Sequence, residues 1–161
     1  MKCVMCGGKM NARRETRKYT GCGLPNVTLK DVEVRRCIEC GEEELAIPRV
    51  LDLHKAIAMR IIRKPGRLTG AEVRFLRKFL GWSGADFARR IGAAPETVSR
   101  WENGRERLGP TADRFLRLAT VHGAPVLDYR LDELDAVDQG HDEAIRLRAR
   151  VLRKKWELKT A

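Results

Sequence analysis

The chain has 161 residues, 43% of them apolar and 34% charged, with a formal net charge of +11. That composition supports a packed core, and no run of about 18 apolar residues is present to make a membrane span. The first residues, MKCVMCGGKM, lack the apolar stretch of a signal peptide, so a cytoplasmic location is expected. The charge is unevenly placed. Residues 47–70 carry six basic and one acidic side chain and 71–123 carry ten and six, whereas 124–143 hold one arginine against seven acids. A polyanion such as DNA would gain from the first two segments, because each neutralised phosphate releases counterions.

The earliest motif in the chain is a pair of CxxC turns, Cys3/Cys6 and Cys37/Cys40, separated by thirty residues. One such turn sets two sulfurs on one side of a short loop. Two turns facing each other offer the tetrahedral thiolate set that zinc prefers. Gly7, Gly8 and Gly41 follow the pairs, where the chain curls around a metal. A redox dithiol is the competing reading, but no βαβ pattern surrounds either pair. The expectation is one structural zinc per chain held by Cys3, Cys6, Cys37 and Cys40, with Cys22 a structural or free thiol. Between the pairs, imperfect alternation over 27–34 and turn residues Gly21, Gly23, Pro25 and Asn26 suggest a hairpin or small sheet. So few apolar residues lie in the first 45 that zinc is expected to supply folding free energy there.

Apolar positions recur at three- and four-residue spacing over 47–63, which predicts a helix ended by Pro65 and Gly66. A basic hinge is then expected over 64–70, exposed and open to proteases. Four short helices follow, at 71–80, 84–91, 95–103 and 111–122, with Thr69 able to cap the first, Ser83 a cap for the second, Pro95 opening the third and Thr111 where the fourth begins. Their expected inward residues include Val73, Leu76 and Leu80; Phe87, Ala88 and Ile91; Val98 and Trp101; and Phe115, Leu118 and Ala119. The break Gly92-Ala93-Ala94 sets the second and third helices across one another. With Val98 and Trp101 inward, Glu96, Thr97, Ser99, Arg100 and Asn103 occupy the arc that would enter a major groove. Arg100 can bind guanine O6 and N7 through two parallel hydrogen bonds. Thr97, Ser99 and Arg105 are expected to fix register on the backbone, and Ser83 is counted among the DNA-facing residues. Glu96 could accept from a cytosine amino group or repel phosphate.

The stretch FARRIGAAPETVSRWENGRERL resembles the helix-turn-helix of phage-repressor, Xre-type domains. Together with the two CxxC pairs, it makes residues 1 to about 123 similar to the MqsA (YgiT-type) antitoxins. The resemblance implies a five-helix-type Xre domain, a homodimer held through it, a palindromic operator upstream of the chain's own gene, and a small protein toxin bound by the zinc module. It also implies that Glu102 pairs with Arg77 in a structural role. The chain departs from the pattern at Gly84, where a glutamine is usual, and at Ala94-Pro95, where polar residues usually open the recognition helix.

Beyond Gly123 the sequence suggests a short acidic helix over 131–137. A final basic amphipathic helix over 142–158 follows, with Ile145, Ala149, Leu152 and Trp156 as its stripe, packing on the domain or on a dimer mate, with extra DNA or partner contact as the alternative. The expected architecture is therefore α+β and mostly α: a zinc module at 1–46 with some β structure, a helical linker and hinge at 47–70, a helix-turn-helix domain at 71–130, and a tail at 131–161. His54, His122 and His141 are scattered and no serine elbow or phosphate loop occurs, so an enzyme is not expected. The functional expectation is a sequence-specific repressor and antitoxin. A zinc-stapled interaction adaptor, or a regulator without a toxin, is the competing reading.

Overall fold

A computed structural model describes residues 1–123, 144–152 and 155–160. It has five helices and a mixed sheet, an α+β arrangement in two parts. The sheet begins with β1 (Met10–Lys18) and β2 (Val27–Cys37), an antiparallel pair with a bulge between Glu15 and Arg17. Opposite the bulge, Asp31 adopts a positive φ of 57°. Strand β3 (Glu43–Ala46) returns along the far half of β2. Helix α1 (Val50–Ile61) then crosses to the helical part, which comprises α2 (Gly70–Phe79), α3 (Gly84–Ile91), α4 (Pro95–Glu102) and α5 (Pro110–Gly123).

The last elements correct the sequence reading. Strands β4 (Leu147–Leu152) and β5 (Lys155–Thr160) pair as a hairpin, and not as the basic amphipathic helix expected over 142–158. Strand β4 joins β2 in parallel, Val27 opposite Leu147 and Leu29 opposite Ala149, so the sheet runs β1-β2-β4-β5. The physical reason lies in the same residues. Ile145, Leu147, Ala149 and Val151 alternate with Arg146, Arg148 and Arg150, a period of two that fits a half-buried strand. The 4-3-4 stripe was a coincidence of that alternation with Leu152 and Trp156. The open flank of β2 decides between the two patterns, since it supplies a ladder that a helix would leave unfilled. The acidic helix expected over 131–137 lies outside the described residues.

Sheet and helices share one apolar cluster. Leu24, Val27, Leu29 and Val32 of the sheet region meet Leu53, Ile57 and Ile61 of α1, and through these Val73, Leu76, Phe87, Val98 and Leu116. Helix α1 is also tied to the hairpin, where Trp156 Nε1 donates to Pro48 O at 3.0 Å and Arg60 donates to Thr160 Oγ1 at 2.7 Å. The half of the sheet near β4 therefore draws on ordinary core burial, and only the cysteine end is short of apolar residues.

Two further readings are corrected here. The expected exposed hinge at 64–70 is instead pinned inside the molecule, with Lys64, Gly66 and Leu68 buried. Arg117 of α5 is fully buried and donates to the carbonyl oxygens of Ile62 and Lys64 at 2.9 Å and of Gly66 at 2.6 Å. Asp113 balances it through Arg117 Nε at 2.6 Å and takes the Leu68 amide at 2.7 Å. Lys64 meets Glu72 at 2.8 Å, and Glu72 also closes the Thr69 capping box that opens α2. The second correction follows from the first. Because Asp113, Leu116, Arg117 and Thr120 form the buried face of α5, Leu118 turns outward and is 42% exposed. Pattern reading assigns charged residues to solvent, and here the charges are the interior.

Candidate nucleic-acid interface and candidate metal centre

Helices α3 and α4 meet across Gly92, a left-handed C-cap with φ 68°. Ser83 caps α3, accepting from the Asp86 amide at 3.0 Å, while Asp86 accepts from the Ser83 amide at 2.9 Å. Pro95 opens α4 and removes one amide that the helix could not have bonded. Inside, Val98 is buried and Trp101 is 9% exposed, its ring 6.4 Å from that of Phe87. Phe87 in turn lies against Trp82, and Trp82 against Phe115. Gly70 sits where α2 starts against the end of α4: a Cβ there would lie 2.5 Å from the Trp101 carbonyl oxygen, so only glycine permits this crossing.

The buried indole turns the rest of α4 outward. Glu96, Ser99, Arg100 and Asn103 are exposed and Thr97 is half-buried, and Arg105 is exposed just beyond. Arg100 is held in place, Nε donating to Glu106 Oε2 and an Nη to Thr97 Oγ1, both at 2.9 Å. Glu106 therefore orients the guanidinium and must yield if Arg100 is to bind a base. Asn103 is positioned from both sides, donating to Ser99 Oγ at 3.3 Å and accepting from Arg74 at 2.7 Å. Arg74, which sequence reasoning missed, comes from α2 one turn before Arg77. The arginines at positions 74 and 77 share a helix face, and that spacing was the available signal.

Beneath this surface, Glu102 accepts from Arg77 at 2.5 and 3.1 Å and from Arg74 at 3.2 Å. Burial pushes the Glu102 carboxyl up, but the two guanidiniums outweigh it and hold it below the usual range. A lowered pKa means stability that is fully present above the unfolded value, near 4.3, and lost as pH falls through the folded one. Thermal melts from pH 6 to 3 are expected to lose this contribution, and Glu102→Ala to remove it at all pH values, costing about 1.5–3 kcal/mol. A Glu102→Ala protein that melts like wild type but fails to bind DNA would assign this carboxylate to recognition instead.

The cysteines converge at the far end of the sheet. The sulfurs of Cys3, Cys6, Cys37 and Cys40 all lie within 4.8 Å of one another, with Cys6–Cys37 at 3.4 Å and Cys3–Cys40 at 3.6 Å. A tetrahedron with metal–sulfur bonds of about 2.3 Å has edges of roughly 3.8 Å, so the donor set fits a zinc-sized ion. The two turns repeat one geometry. Gly7 N–H donates to Cys3 O at 2.9 Å and Gly41 N–H to Cys37 O at 3.2 Å, with φ of 75° and 76° at the two glycines. The Cys40 and Glu39 amides stabilise the Cys37 thiolate and bring its pKa down to about 7, below the ordinary thiol value. Four thiolates would close such a centre to water and substrate. Cys22 lies outside it, its thiol 3.8 Å from Tyr19 O and its pKa raised by burial.

A short turn holding a second helix across the first, with that helix's outer face polar and basic, defines a helix-turn-helix, the module of DNA-binding regulators. Residues 69–134 match the family model for a helix-turn-helix domain. No curated protein matches the chain. Among the described residues no helix is long and apolar enough to cross a membrane.

Proposed function

We propose that the protein is a sequence-specific transcriptional repressor that binds duplex operator DNA as a homodimer, carries one structural zinc, and acts as the antitoxin of a toxin–antitoxin pair. The observation that carries the DNA-reading part is α4 itself, braced from below by Trp101 and Val98 with Arg100 presented on its outer face. Arg100 reads a guanine, Thr97, Ser99, Asn103, Arg105 and Ser83 hold register on the backbone, and Glu96 faces the groove edge. Two copies related by a two-fold axis would address half-sites one helical turn apart, about 34 Å. The test is a gel shift with the promoter of the protein's own gene. Arg100→Ala is expected to lose about 1–3 kcal/mol of discrimination at one base while melting at the wild-type temperature. Unaltered promoter selectivity in that variant would remove Arg100 from the recognition set.

The antitoxin part rests on the resemblance together with one surface. Val4, Met5 and Ile38 protrude from the two cysteine turns, Val4 being 92% exposed, and form an apolar tip suited to a protein partner. That same tip favours the second reading, an interaction adaptor or a regulator without a toxin. Co-purification with the product of the adjacent reading frame, and relief of that product's toxicity on co-expression, supports the antitoxin. A salt-insensitive protein with no promoter binding supports the adaptor.

A further inference from the structure

The arginines of the sheet divide into two populations. Toward the cysteine end all but Arg13 are neutralised: Arg14 by Asp31, Arg17 by Glu15 and Glu43, Arg35 by Glu33 and Glu44, and Arg36 by Glu15 and Glu43. Toward the hairpin they have no carboxylate partner among the described residues. Lys18, Thr28, Arg148 and Lys159 stand directly opposite one another across β1, β2, β4 and β5, and so share one face of the sheet. Arg150 follows on the same side two residues along β4, and the exposed Arg146 precedes it. Leu147 and Ala149, which alternate with these arginines, are buried in the shared core, so the cationic row points away from it. Lys18, Arg148, Arg150 and Lys159 are all exposed, and none is paired with a carboxylate among the described residues. Glu157, opposite Arg150 in the register, is the acid of the hairpin that faces them among the described residues.

We infer that this outer face of the sheet is a second polyanion-binding surface, and that its partner is the phosphate backbone of duplex DNA flanking the site held by the helix-turn-helix. The choice of partner follows from what the face carries and what it lacks. Arginines at alternate positions of a strand lie roughly 7 Å apart, and the row from Lys18 to Lys159 spans three strand spacings, about 14 Å. That is a rigid two-dimensional grid of charge suited to a row of phosphates. A single-stranded nucleic acid would call for aromatic platforms, yet Trp156 faces the other way and bonds Pro48. A lipid surface would call for apolar anchors, and Leu152 alone is a large exposed apolar side chain on this hairpin.

The inference rests on the proposed DNA-binding reading for its choice of duplex, and the test separates the two. The full-length protein is titrated with a promoter duplex and with a random-sequence duplex over a range of salt concentrations. Substituting Arg148→Ala, Arg150→Ala and Lys159→Ala together is expected to lower the slope of log K against log salt by about 2 to 3 on both duplexes. Affinity at low salt should fall roughly 10- to 100-fold, while the promoter-to-random ratio stays at the wild-type value. Arg100→Ala is expected to do the reverse, reducing the ratio and leaving most of the slope. A second variant, Lys18→Glu with Lys159→Glu at the two ends of the row, gives an independent reading should the triple variant fold poorly. A folded variant with an unchanged slope overturns the inference, as does a slope lost on double-stranded RNA but kept on DNA. A wild-type ratio of one with a slope that still depends on Arg148 and Arg150 overturns operator recognition and leaves the sheet surface standing.

Discussion

Replacing Arg117 with methionine is expected to destabilise the protein by about 3–5 kcal/mol, the range for breaking a buried ion pair by removing one partner. The variant leaves Asp113 charged in the interior, with the Leu68 amide as its side chain's remaining partner among the described residues. It also strands the carbonyl oxygens of Ile62, Lys64 and Gly66, which the guanidinium now caps together. For a chain of this size the melting temperature should fall by about 10–15 °C. Trypsin supplies a local readout, because Arg63 and Arg67 flank the clamped segment. The wild type should resist cleavage there until it unfolds globally, and the variant should be cut there first. The double variant Arg117→Met with Asp113→Leu should recover part of the loss, since no unpaired charge remains. Early cleavage at Arg67 in the wild type would show that the segment opens freely and that the clamp is not what holds it.

Losing a metal bound at the four cysteines is expected to have the second large effect, and a more local one. Freshly purified, reduced protein is expected to carry about one equivalent of zinc with an all-sulfur coordination shell, and structural zinc of this type contributes about 10–16 kcal/mol of apparent binding free energy. Cys37→Ser, or a strong chelator, should unfold the two cysteine turns and the adjoining ends of β1 and β2, where the apolar residues Val4, Met5 and Ile38 face solvent rather than a core. The helices should persist, because Leu53, Ile57, Val73, Leu76, Phe87 and Leu116 pack elsewhere. Hydrogen exchange would then show protection lost near the cysteines and kept in α2 to α5, with little change in helical circular dichroism. Less than about half an equivalent of metal on the purified protein would count against a structural zinc.

What the sequence revealed and what it hid follow the range of the interactions involved. The cysteine turns and the helix starts at Thr69, Ser83 and Pro95 are set by residues three or four apart, so spacing alone places them. Trp101 and Val98 are similarly legible, being apolar residues three apart on a short helix with a polar remainder. The clamp around Arg117 was not legible. An arginine four residues after an aspartate looks like a solvated surface pair, and only the approach of the α1–α2 connection turns it into an interior one. The hairpin of β4 and β5 was hidden for a related reason. Its residues satisfy two periodicities at once, and the choice depends on an unfilled flank of β2 far away in the sequence. The sulfur cluster was located by its motif, whereas the cationic row needed the cross-strand register, because Lys18, Arg148 and Lys159 become neighbours only through Thr28.

The parallel pairing of β2 with β4 also sets an order of events during synthesis. Val27 to Leu29 leave the ribosome long before Leu147 to Ala149, their partners in the ladder, and at typical elongation rates the interval is on the order of ten seconds. Over that time α2 to α5, whose contacts are mostly close in sequence, can already assemble, while β2, paired with β1 on one edge, waits with the other edge at Val27 to Leu29 unfilled. A nascent chain interrupted before residue 147 would thus expose a sticky edge beside an otherwise finished helix-turn-helix. Chaperones and proteases could discriminate incomplete copies from complete ones at that edge.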